Sequence, residues 1–124
     1  IFGERTAATH VTTSSLDMVV SYPSRLHYRQ VQSLQVSIRN LSARVLDTVS
    51  VVFDTAYVSR FTGVKFEPPA ESPYTVDLTS VKPGESRLVS IELWGQDYGR
   101  HRATIVARTG SDSAMVRFTT IVFP

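Results

Sequence analysis

Short runs in which every second residue is apolar, each closed by turn residues, restrict this chain more than anything else in it. A side chain on an extended strand changes face at every residue, so such a run buries one face only as a strand. Leu16, Met18, Val20 and Tyr22 share one face of the first run, which Pro23-Ser24 closes. Leu34, Val36 and Ile38 alternate with Gln35, Ser37 and Arg39 in the second, and Val49, Val51 and Phe53 alternate with Thr48 and Ser50 in the third. The second and third read as central strands with one face in the core.

The pattern continues to the end of the chain. Residues 56–66 are less regular and supply a further strand, and Glu67-Pro68-Pro69-Ala70-Glu71-Ser72-Pro73 is a loop, since its prolines deny a central strand its ladder hydrogen bonds. Tyr74, Val76 and Leu78 alternate up to Pro83-Gly84, which suits a type II turn and predicts a hairpin-like reversal. Val89, Ile91 and Leu93 follow, then Ala103, Ile105 and Ala107, and Thr109-Gly110-Ser111-Asp112 turns the chain into a last strand over 114–123. Val, Thr and Ile number 17, 13 and 5 against 8 Leu and 8 Ala, a strand composition that leaves little for helices. Seven to eight short strands at even spacing predict an all-β, antiparallel β-sandwich. Residues 1–14 read as an N-terminal tether or edge segment, and 15–124 as the domain.

A chain of 124 residues holds one domain with a real core. No stretch approaches the roughly 18 uninterrupted apolar residues of a spanning helix. Thirteen basic against 11 acidic residues leave a net charge of +2, which argues against nucleic acid as a partner, with the basic residues scattered along the sequence. The absence of Cys excludes disulfides, thiolate metal sites and cysteine nucleophiles, and fits a cytosolic or a bacterial exported protein.

Ile38-Arg39-Asn40-Leu41-Ser42, followed by Leu46-Asp47-Thr48-Val49-Ser50-Val51, resembles the second and third strands of bacterial extracytoplasmic immunoglobulin-like domains, where an Asn and a small polar residue sit in the connecting turn. Leu78-Thr79-Ser80-Val81-Lys82-Pro83-Gly84-Glu85-Ser86, then Val89-Ser90-Ile91-Glu92-Leu93, then Gly99-Arg100-His101-Arg102-Ala103-Thr104-Ile105, is similar to the hairpin and next strand of cell-adhesion-related and fibronectin-like domains. The resemblance implies an immunoglobulin-like sandwich with Greek-key connections. It also implies an exported, non-catalytic module, in the periplasm or at the cell surface, often one of several in a larger protein. It carries over no functional residues.

Candidate chemistry is thin, and the sequence predicts no enzyme, no cofactor and no metal site. His10, His27 and His101 stand far apart with no metal-ligand spacing around them, and His101, between Arg100 and Arg102, reads as solvent-facing or at a strand edge. No Gly-x-Ser-x-Gly turn occurs among the 15 Ser. The candidate partner- or sugar-binding residues are Trp94, Tyr98, Tyr22, Arg25, Tyr28 and Arg29. With Leu93 inward, Trp94 points outward near Tyr98, and an outward Trp-Tyr pair stacks on a sugar or anchors a protein. The commoner arrangement has Trp94 buried as a cap against the following loop, which would remove the sugar reading. Tyr22, Arg25, Tyr28 and Arg29 read as an aromatic and basic loop between the first two strands.

The sequence therefore predicts a non-catalytic structural or protein-interaction module of a larger exported or membrane-anchored protein, with a carbohydrate-binding module around Trp94 as the alternative. A protein partner is expected, carbohydrate is the second choice, and a membrane enters only through an anchor of which Ile1-Phe2-Gly3 would be the tail.

Overall fold

The computed structural model describes residues 5–71 and 74–124. Residues 1–4, with the apolar start read as the tail of an anchor, and 72–73 of the proline loop lie outside the described residues. In chain order the elements are β1 (Arg5–Thr12), β2 (Leu16–His27), β3 (Val31–Asn40), β4 (Leu46–Phe53), α1 (Thr55–Val58), β5 (Phe61–Glu67), β6 (Thr75–Val81), β7 (Ser86–Gly95), β8 (Gly99–Thr109) and β9 (Asp112–Phe123). The architecture is all-β, and the strands form one mixed, curled sheet in the order β5-β7-β3-β2-β9-β8-β4-β6, with β1 paired to β2.

Alternation translates directly into burial. Leu34, Val36 and Ile38 of β3, Val49, Val51 and Phe53 of β4, Val89, Ile91 and Leu93 of β7, and Ala103, Ile105 and Ala107 of β8 are all buried in one apolar cluster. The polar residues between them face out, and removal of this apolar surface from water is what drives the curl.

Four features differ from the sequence expectation. Pro23 does not end the first strand. Leu16–Ser21 of β2 pair antiparallel with β3, whereas Arg25, Leu26 and His27 pair in parallel with Ile121, Val122 and Phe123 of β9. Proline, which has no N–H to offer a ladder, stands where β2 passes from one neighbour to the other. Its carbonyl accepts the Thr120 hydroxyl at 2.7 Å, and the Tyr57 hydroxyl donates to Thr120 Oγ1 at 2.8 Å. Burial pushes the Tyr57 phenol above its ordinary range, so it stays a neutral donor.

Secondly, residues 55–58 are a helical turn. Asp54 caps it by accepting the Ala56 N–H at 3.0 Å, and the consecutive residues Tyr57 and Val58 are both buried, which a strand does not allow. Thirdly, residues 5–12, within the segment read as a tether or edge segment, are a strand paired with β2, and the strands among the described residues number nine where seven to eight were expected.

Finally, Pro83-Gly84 makes the expected turn but no hairpin. Glu85 N–H donates to the Lys82 carbonyl at 2.9 Å and Gly84 has φ of 77°, as a type II turn requires. Yet β6 pairs with β4, and β7 with β3 and β5. Four residues thus join strands from opposite reaches of the strand order, which is possible only because the sheet curls back on itself. Arg87 clasps this arch: its guanidinium donates to the carbonyls of Thr79 and Ser80 at 3.0 and 3.2 Å and to Glu85 at 2.7 Å.

Asn40, 1% exposed, closes the same end. Its amide nitrogen donates to the carbonyls of Arg44 at 2.8 Å and Val81 at 2.9 Å, and its amide oxygen accepts from the Ser42 N–H and hydroxyl at 2.8 and 2.7 Å. Its backbone N–H and carbonyl bond Glu85 and Gly84 of the arch. The Asn40 amide is thus fully engaged inside a turn.

Replacing Asn40 with Ala leaves the buried Val81 carbonyl without its donor, and a loss of about 2–4 kcal/mol in urea unfolding is expected. Asp112 offers a pH test. Its carboxylate accepts the Thr13 hydroxyl at 2.7 Å and the Ser15 N–H at 3.0 Å, and the Thr13 bond is the main cause that holds its pKa below the ordinary 3.8. A depressed carboxylate stabilises the fold fully above the unfolded value and loses that contribution as pH falls through the folded one. Stability should fall below about pH 4, and Asp112→Asn should flatten part of that slope in acid unfolding curves.

Candidate functional site

β7 turns its even-numbered side chains outward, and Ser86, Leu88, Glu92 and Trp94 are exposed. Trp94 is 42% exposed, so it does not cap the core; Leu93 is inside and the phase carries the indole out. Its cross-strand neighbours are Val31 of β3 and Thr62 of β5. The β5 ladder is irregular just beyond Thr62, where Gly63 takes φ of 60°. A Cβ on Gly63 would lie 3.2 Å from Trp94 Cδ1 and 3.4 Å from Nε1. The indole is therefore seated against bare backbone at Gly63, and part of its surface is open to solvent.

The turn after β2 brings the other aromatic residues to this place. Tyr28 N–H donates to the Phe123 carbonyl at 2.9 Å, Arg29 N–H to Gly95 at 2.6 Å, and Gly95 N–H to Gln30 at 3.1 Å. The turn is thus pinned to the ends of both β9 and β7. Arg29 sits in the left-handed region at φ of 65°, a strained conformation for a side-chain-bearing residue that these bonds hold in place. The rings of Tyr28 and Tyr98 meet at 5.2 Å, and the Arg29 guanidinium lies 5.3 Å from the Tyr28 ring centroid. Tyr98 is 59% exposed. Beside them a shallow hollow of about 340 Å³ is lined by Tyr28, Arg29, Thr62, Trp94, Gly95 and Gln96.

Of the six residues singled out from sequence, Trp94, Tyr98, Tyr28 and Arg29 come together here. Tyr22 and Arg25 do not. Tyr22 is half-buried and stacks on Phe118 at 4.3 Å, and Arg25 is exposed on β2 opposite Ile121. The segment read as one loop is strand as far as His27, so alternation sends its residues to different surfaces. Val31, Thr62 and Gln96 complete the site and carry no sequence signal of their own. A second hollow, lined by Ser33, Lys65, Glu67, Ser90 and Glu92, continues the outer face of β3, β7 and β5.

The histidines lie apart. His101 is buried, not solvent-facing: with Arg100 and Arg102 outward, phase turns it in, and its Nε2–H donates to the Asp97 carbonyl at 2.7 Å. His27 packs on Phe123, and His10 contacts Asp17, whose pKa is lowered chiefly by that bond. Thr12 also reaches His10, but both contacts fall on Nε2, so the imidazole cannot accept a hydroxyl proton there while an acid orients its other nitrogen. Among the described residues no group of three or more His, Asp and Glu side chains stands together as a metal site would need.

No protein-family model and no curated protein matches the sequence. Among solved structures the chain is similar to a CARDB domain from Pyrococcus furiosus, solved in complex with di-metal ions, with a TM-score of 0.59 and 13% identity over 90% of this chain and 97% of that one. It is also similar to native alpha-2-macroglobulin from Escherichia coli between domain MG7 and the C-terminus, with a TM-score of 0.55 and 15% identity over 98% of this chain and 17% of that one. The bacterial hydrophobin BslA gives a TM-score of 0.50 and 10% identity over 95% and 98% of the two chains. The chain is thus an all-β domain with immunoglobulin-like neighbours, the cell-adhesion-related CARDB domain among them. At these identities the likeness is one of fold.

Gly95 tests how the aromatic end is held. A Cβ there would stand 2.7 Å from the His27 carbonyl oxygen, a backbone atom that cannot step aside without moving the turn. Gly95→Ala should cost about 1–3 kcal/mol in thermal unfolding and shift the emission of Trp94, the only Trp. Unchanged stability and emission would mean the turn is not fastened as described.

Proposed function

We propose that this chain is a non-catalytic interaction module of a larger exported or membrane-anchored protein, and that a protein partner docks on the aromatic end. The observation that carries the proposal is the convergence of Trp94, Tyr28, Tyr98 and Arg29 on one exposed surface. Trp, Tyr and Arg dominate the energetics of protein interfaces, and they do so from rigid positions that lose little entropy on binding. Trp94 is seated on Gly63, and Tyr28 and Arg29 are carried by a turn fixed at three backbone bonds. Likeness to domains that form parts of longer chains supports the module reading, and the hollow beside the aromatic end is a shallow one over a filled apolar cluster.

Carbohydrate binding is the second reading, and the exposed indole favours it. A flat ring with one side packed and the other open is the platform on which a sugar ring stacks, and Glu92, Lys65, Ser33 and Ser90 on the adjoining face offer hydrogen bonds to hydroxyls.

The double variant Trp94→Ala, Tyr98→Ala separates these readings from a purely structural role. Both side chains are exposed, so stability should stay within about 1 kcal/mol of wild type. Capture of protein partners from an envelope extract should fall at least about tenfold. If instead a neutral polysaccharide protects Trp94 from acrylamide quenching, the carbohydrate reading replaces the protein one. Undiminished capture by the variant, with no protection by any sugar, would remove the aromatic end as a binding site.

A further inference from the structure

The arginines that look scattered in the sequence are gathered by the fold. β8 turns Arg100, Arg102, Thr104, Val106 and Arg108 outward, and His101, Ala103, Ile105 and Ala107 inward. Register places Arg102 opposite Thr119, Thr104 opposite Arg117, and Arg100 opposite Ile121 of β9. Arg25 of β2 is the partner of Ile121 on the other side of β9. Arg25, Arg100, Arg102, Arg117 and Arg108 therefore share one outer face, in a row running roughly 27 Å along the strands.

Among the described residues none of these five guanidiniums has a hydrogen bond or an ion pair. The acids that the strands place on this face are Asp77 at its far side, whose carboxylate accepts the Ser50 hydroxyl at 2.6 Å, and Asp54 at the end of β4, whose carboxylate accepts the Ala56 N–H at 3.0 Å. At one end of the row Arg100 and Arg102 line a hollow of about 280 Å³ with Arg60, Tyr57 and His101. The net charge of +2 hides this arrangement, because without these five residues the remainder of the chain is net acidic.

We infer that this arginine face binds a linear acidic polysaccharide, a polyuronate whose carboxylates lie along the row. A guanidinium presents a planar fork that matches a carboxylate with two parallel hydrogen bonds. Arginines on one strand face recur at about 6.6 Å, so a charged chain meets several in succession where a small anion meets one or two. Thr104 and Thr119 stand between the arginines and supply hydroxyls for a hydroxyl-bearing ligand. Single-stranded nucleic acid needs aromatic side chains spaced along the strand it binds, whereas the aromatic residues of this face, Phe123 and Tyr98, stand together at one end of the row, beyond Arg25 and Arg100. A membrane-inserting face needs a broad area of large apolar or aromatic side chains, whereas here Val52, Val106 and Met115 form one short row across the strands, with Arg117 and Arg102 on one side of it and Arg108 on the other. The inference stands on the arginine face alone and does not depend on what occupies the aromatic end.

The test is titration of the chain with oligogalacturonate at low salt. Fully methyl-esterified oligogalacturonate, oligo(dT) and vesicles containing phosphatidylserine serve as comparison ligands. Binding to oligogalacturonate should weaken as salt is added, and the methyl ester should not bind. The triple variant Arg100→Gln, Arg102→Gln, Arg117→Gln should bind at least about tenfold more weakly, while Arg39→Gln, Arg44→Gln, Lys82→Gln, which removes the same charge elsewhere, should bind as wild type does. The Trp94→Ala, Tyr98→Ala variant should also bind it normally, so failure here and failure at the aromatic end are read separately. Equal loss in both triple variants, equal binding of the methyl ester, or tighter binding of oligo(dT) or vesicles would overturn the inference. So would an absence of oligogalacturonate binding by the wild-type chain.

Discussion

Asn40 has to satisfy two carbonyls and two donors with one amide, and the closure of the fold at that end turns on its doing so. The turn between β3 and β4, the end of β6 and the arch into β7 all run through this residue. Hydrophobic burial is non-directional and specifies that the sheet should curl, but not where its reaches should stop relative to one another. A buried amide with every donor and acceptor used supplies that geometric instruction, because any other register leaves polar groups unpaired out of water. At the opposite end Thr120 does the related task, holding the Pro23 carbonyl where β2 changes neighbours. Between these two polar fixtures the core is apolar and tolerant.

The strands were legible because period two is a local property. Leu34, Val36 and Ile38 needed only their immediate neighbours to be read as one buried face. Connectivity between strands is not local, and no short window of residues specifies it. Pro83-Gly84 specifies a turn type and cannot say whether the strands it joins will pair; here they join different parts of the sheet. Pro23 signals an end to pairing on one side, which sequence reasoning takes as the end of the strand. The helical turn at 55–58 was missed because one turn is too short to show a period, although Asp54 as a cap before adjacent large apolar residues was a usable sign.

The site was legible in a similar measure. Phase alone put Trp94 outside once Leu93 was inside, and the same argument, applied to Arg100 and Arg102, places His101 in the core. Tyr28, Arg29 and Tyr98 lie in or beside turns, and only the pairing of β2, β7 and β9 shows that these turns meet. The arginine face is the converse case. Its members sit on three strands, remote in sequence, and adjacency across the β8–β9 ladder turns a weakly charged chain into one with a strongly charged side. Net charge, as a single number, conceals an arrangement of this kind.

β1 runs antiparallel to β2, so Arg5 lies level with Arg25, and the parallel pairing sets Ile121 of β9 at that same level. The described chain therefore enters and leaves at one end of the domain. A load applied between these two points would not stretch the core along its strands. It would lift β1 from β2 one hydrogen bond at a time, as a zipper opens, while the short parallel splice of β2 with β9 would bear its share in shear. Under such a load the core strands would lie to one side of the line of force, and the outer strand would carry it first.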